Sequence, residues 1–91
     1  MSDKTIEAAI SMFTNWTQPW AFEAAVSASL NDEDRKRFGT MWEQALDFAH
    51  WDHPDLSEGA RRCEMALDRD FPELSREAKE AIARAAAYQW R

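Results

Sequence analysis

Apolar side chains return every three or four residues along most of this chain, and no clean two-residue alternation appears. That repeat constrains the fold most. A 3.6-residue period gathers one face of a helix, whereas a half-buried strand needs a period of two. Phe38, Met41, Trp42, Ala45, Leu46 and Ala49 share one face and predict a helix over residues 32–50. Ile6, Ala9, Ile10 and Phe13 predict a first helix over 3–15. Phe22, Val26 and Leu30 predict a second over 19–30, with Pro19 tolerated in its first turn. Two more are expected over 58–70 and 76–90. Their core faces are Ala60, Cys63 and Leu67, then Ala78, Ala81, Ile82 and Ala85.

The helix starts share a pattern. Leu30-Asn31, Leu56-Ser57 and Leu74-Ser75 each put a leucine before a capping residue. The polar side chain takes a free backbone N–H, and the leucine packs back on the first turn. Pro54 and Pro72 stand two residues before the Leu-Ser pairs and stop the preceding helices. The passages 43–60 and 64–78 echo each other as helix end, proline stop, Leu-Ser cap and alanine. Two copies are fewer than a solenoid needs, so the echo reads as one junction design used twice. The expected fold is all-α: a compact bundle of about five short helices joined by short Pro/Leu-Ser turns, in a single domain spanning 1–91.

Composition narrows the class. The chain has 91 residues, five Trp, five Phe and a single Cys, which rules out an internal disulfide framework. No apolar run approaches the ~18 residues of a membrane span, and the Met1-Ser2-Asp3-Lys4 start does not resemble a signal peptide, so a cytoplasmic location is expected. The net charge of −6 disfavours direct nucleic-acid binding, which runs on phosphate neutralisation by Lys and Arg.

That charge is unevenly spread. Residues 39–60 contain Glu43, Asp47, Asp52, Asp55 and Glu58 with no Lys or Arg, and so carry −5 of the net −6. A one-sign cluster focuses field and steers a basic partner. The plainer alternative is a solvated face, with Asp55 and Glu58 favouring a helix N-terminus. Trp42 lies on the core stripe, while Trp16, Trp20, Trp51 and Trp90 sit at helix junctions and ends. Each of these four either seals the bundle or serves a partner, since Trp combines large apolar area with one N–H.

Other chemistry has thin support. His50, Asp52, His53 and Cys63 are the ligand-type residues, but their spacing matches no standard zinc site. Cys63 falls on an apolar stripe, which argues against a Cys–His nucleophile. There is no Gly-rich phosphate loop, because the two glycines, Gly39 and Gly59, lie in or beside helices. The basic groups Arg35-Lys36-Arg37 and Arg61-Arg62 read as solvated helix faces. No cofactor, metal or catalytic residue is expected.

The expectation is therefore a non-catalytic acidic protein that binds another macromolecule, as an inhibitor or immunity-type protein. Glu43, Asp47, Asp52, Asp55 and Glu58 would face a basic protein surface, with Trp51 as apolar anchor. A phage anti-defence protein that blocks a nucleic-acid-binding machine fits this size and charge. One alternative is a structural subunit that oligomerises through the Ala-rich face of the last helix and Trp90. Another is a metal- or pH-responsive regulator built on His50 and His53.

Overall fold

The computed structural model of the chain describes residues 4–47, 51–52 and 55–89. Among these residues the fold is all-α: five α-helices and a short 3-10 turn, with no strand. Helix α1 covers Lys4–Met12; the 3-10 turn Pro19–Ala21 runs into α2, Phe22–Ala28. Helix α3 covers Asp32–Ala45, α4 Leu56–Asp70 and α5 Arg76–Gln89.

The boundaries have local causes. Helix α1 stops at Met12 rather than at residue 15. Beyond it, Thr17 Oγ1 donates to Asn15 Oδ1 at 2.6 Å and Asn15 Nδ2 donates to Gln18 Oε1 at 3.3 Å. Such short polar side chains offer local partners that compete with helix extension. Helix α2 ends at Ala28, where Arg35 reaches back from α3. Its Nε donates to the Ser27 carbonyl at 3.1 Å and its Nη2 to the Leu30 carbonyl at 2.9 Å. A guanidinium there satisfies carbonyls that a helix end leaves open and opposes the negative end of the dipole.

Two of the expected caps are present. The Asn31 side chain accepts from Asp34 N at 2.8 Å, and Ser75 Oγ accepts from Ala78 N at 3.2 Å. Leu30 and Leu74, the leucines before them, are buried. The third junction departs from the pattern. Asp55, not Ser57, caps α4: its carboxylate accepts from Ser57 N at 2.9 Å, so the helix begins at Leu56 instead of residue 58. Aspartate caps as well as serine and adds a charge that the helix N-terminus favours. Phe71 closes α4 in a non-helical conformation ahead of Pro72, so the helix ends where the proline stop expects.

The core gathers around α5 and Phe22. Helix α5 packs most extensively on α4 and also touches α3, α1 and the 3-10 turn. Ala78, Ala83, Ala85 and Ala86 are all buried, because small side chains admit neighbours on several sides. The Ala-rich face is thus covered within the chain, which corrects its reading as a surface for another copy. The bulk comes from fully buried Phe22, whose ring lies 5.3 Å from Phe13, 5.7 Å from Trp16, 6.1 Å from Phe38 and 5.7 Å from Trp42. The radius of gyration, 12.1 Å, is what ~12 Å scaling gives for a folded chain this long.

Candidate functional site

Helix α3 ends at Ala45, five residues before the expected end at residue 50, so Glu43 lies in its last turn, Asp47, Asp52 and Asp55 lie between α3 and α4, and Glu58 lies in α4. The Leu46 N–H closes on the Trp42 carbonyl at 3.0 Å and the Asp47 N–H on the Gln44 carbonyl at 3.2 Å. The indole of Trp51 then folds back, and its Nε1 donates to the Ala45 carbonyl at 2.8 Å. That bond satisfies a carbonyl at the helix end, and Trp51 itself is only 6% exposed. Asp55 caps the start of α4.

This geometry corrects one expected role. Trp51 is not a protruding apolar anchor for a partner. Its ring joins the core and its single N–H is spent on Ala45, so it is anchored to its own bundle. The carboxylates divide as well. Glu43, Asp47, Asp52 and Asp55 are exposed. Glu58 is half-buried in the first turn of α4 and pairs with Arg62 at 3.7 Å. Asp55 and Glu58 therefore serve the start of α4, whatever else they meet. On the far side of this junction Gln44 Nε2 donates to Asp70 Oδ2 and ties α3 to the end of α4.

The ligand-type residues are not brought into a metal centre among the described residues. Cys63 is fully buried in α4 while Asp52 is exposed; His50 and His53 lie outside the described residues. Burial, with a smaller contribution from Glu64, pushes the Cys63 thiol up to about 12, so it is no ready nucleophile or ligand.

Arg35, Lys36, Arg37, Arg61 and Arg62 are all exposed, as solvated helix faces would be, and some of them also make local contacts. Arg35 caps α2, and Arg37 lies 5.3 Å from the centre of the Phe71 ring. Arg84 lies 4.3 Å from the centre of the Trp16 ring, so Trp16 seals the bundle. Between α4 and α5 a cavity of ≈ 360 Å³ is lined by Arg61, Glu64, Met65, Asp68, Arg76 and Lys79. Three cations meet two carboxylates there, and nearly buried Lys79 is joined to Asp68 at 2.7 Å. Burial first, then Glu80, raises the Glu64 carboxyl above its ordinary range, against the pull of Arg76 and Arg61.

Three features escaped the sequence. The Glu7 carboxylate accepts the backbone N–H of Ser75, 68 residues away, which no local pattern signals. The burial of Lys79 had a signal: it continues the row Lys79, Ile82, Ala83, Ala86. Trp20 is 66% exposed and Met12 75%, so the first junction carries an open apolar surface. Trp90 lies outside the described residues, and among the described residues no helix is long and apolar enough to cross a membrane. The chain matches no protein-family model, no curated protein and no solved structure.

Proposed function

We propose that this chain acts without catalysis, as a small acidic protein that docks on a basic surface of another protein. The reading extends to an inhibitor of immunity or anti-defence type, whose target is a nucleic-acid-binding protein of the cytoplasm. One observation carries it: Glu43, in the last turn of α3, and Asp47, Asp52 and Asp55, between α3 and α4, all stay exposed, while the Trp51 bond to Ala45 and the Asp55 cap tie this stretch to the two helices. Charges held in place lose less freedom on binding, and a one-sign cluster speeds encounter with a basic surface.

The test compares the parent with the double variant Glu43→Lys, Asp52→Lys in capture from lysate. Both runs are made at ~50 and ~300 mM salt, where the screening length falls from ~14 to ~6 Å. The expected result is a partner held by the parent at low salt, weakened at high salt, and lost with the variant. Equal capture by both proteins at both salts overturns the reading.

A further inference from the structure

Beside the Lys79–Asp68 pair, the α4–α5 cavity holds charged groups that the fold does not engage. Arg61 is exposed and, among the described residues, enters no hydrogen bond or ion pair. Glu64 is half-buried, and its carboxyl accepts no hydrogen bond among those residues. Arg76, on the α5 side, is held by an exposed pair with Glu80 at 3.2 Å. Exposed pairs contribute little, so a second anion can share the guanidinium at small cost. Met65, 66% exposed, gives the cavity an apolar wall.

The balance of charge defines what fits. Arg61, Arg76 and Lys79 stand against Asp68, Glu64 and, behind Arg76, Glu80. The site is therefore neutral while Glu64 is ionised and carries one positive charge once Glu64 is protonated. Beyond Met65, Arg62 and Arg69 are matched by Glu58 at 3.7 Å and Asp70 at 3.0 Å, which leaves that balance unchanged. Burial and then Glu80 already favour the protonated form of Glu64.

We propose that this cavity binds a small organic monocarboxylate, with its head between Arg61 and Arg76 and its apolar body on Met65. A guanidinium presents a planar fork of donors that matches a carboxylate. A cation would meet three cations of the lining, and a phosphate dianion would exceed the one charge the site can offset. The volume, ≈ 360 Å³, is at the lower end for ligand sites and admits a small acid.

Binding is linked to a proton. Glu64 is faced by Arg61 and Asp68 of its own helix and by Arg76, Lys79 and Glu80 of α5, while no α3 residue lines the cavity. An anion arriving there favours protonated Glu64 further, so binding takes up a proton and strengthens as pH falls. The inference is independent of the acidic docking face, because none of Glu43, Asp47, Asp52 and Asp55 lines the cavity.

Titration of the whole chain with hexanoate, followed by amide NMR, tests it. At about pH 5.5 the probe is still ionised, and saturable shifts at the cavity residues are expected, with a Kd on the order of 1 mM. Raising the pH to about 7.5 should weaken binding by up to roughly tenfold per unit, the limit for one proton taken up. Arg61→Gln alters an exposed, unpaired group and should weaken binding roughly tenfold or more, with the fold unchanged by circular dichroism. Glu64→Gln should bind equally at both pH values, as tightly as the parent at the lower one. The absence of saturable shifts at the cavity with ~50 mM hexanoate overturns the proposal. So does binding that Arg61→Gln leaves unchanged, binding by the parent that ignores pH, or a pH dependence that Glu64→Gln retains.

Discussion

The carboxylate of Glu7, on the first helix, accepts the backbone N–H of Ser75, the capping residue of the last. The two ends of the chain thus share one helix start: Ser75 Oγ serves Ala78 N, and Glu7 serves Ser75 itself. The division resembles a capping box whose glutamate arrives from a remote helix instead of three residues downstream. Glu7→Ala should cost about 1–3 kcal/mol, because it leaves a half-buried N–H without its acceptor. Glu7→Gln should cost less, since an acceptor remains. Urea unfolding checks this as a shift of midpoint at constant slope.

Trp51 should behave as a core residue. Trp51→Phe keeps the ring but strands the Ala45 carbonyl, for a loss of about 1–2 kcal/mol. Trp51→Ala opens a cavity and should cost about 3–5 kcal/mol. An unchanged thermal midpoint in both variants would return Trp51 to the surface.

Lys79 and Asp68 should respond unequally to mutation. The Lys79 side chain is 10% exposed and that of Asp68 74%. Asp68→Ala leaves a nearly buried ammonium without its carboxylate, whereas Lys79→Met leaves only an exposed carboxylate and keeps the apolar stem. Asp68→Ala should therefore destabilise by about 1–3 kcal/mol, while Lys79→Met stays near neutral or stabilises. Paired chemical denaturation of the two variants decides the order.

Cys63 should be silent toward thiol reagents until the bundle opens. Native labelling should be ~10³-fold or more slower than labelling in urea, following the unfolded population. The thiol's folded value of about 12 exceeds the ordinary 9.0. Its stabilising contribution is thus complete below pH 9 and lost as pH rises toward 12, a loss that Cys63→Ala should remove.

Glu64 gives the acid-side prediction. Its folded value lies above the ordinary 4.5, chiefly through burial and then Glu80. The protonated form is favoured in the fold, so the contribution is intact below 4.5 and lost as pH rises through the folded value. Glu64→Gln should therefore be the more stable protein at neutral pH, with the gap closing on acidification. Thermal midpoints between about pH 3 and pH 7 follow the difference.

Much of the fold was legible because helices are local objects. The stripe through Phe38, Met41, Trp42 and Ala45 is buried as its spacing requires, and Asn31 and Ser75 cap the helices they precede. The misreadings fall where two local solutions compete. Asp55 and Ser57 are both competent caps, and the aspartate carries the charge that favours a helix start. After Ala45 the helical spacing continues to Ala49, yet the helix stops and the Trp51 indole takes the Ala45 carbonyl.

What the sequence alone determined is the helical class, most of the helix starts, and the concentration of negative charge between residues 39 and 60. These follow from repeats and caps that act over three or four residues. Tertiary structure decided the rest: which tryptophans are buried, that Glu7 completes the cap of α5, and that the alanines of α5 face inward. It also left Met12 and Trp20 exposed. The reason is that burial is shared between helices. A stripe shows that a side can be covered, and only the packing of the other helices determines whether it is.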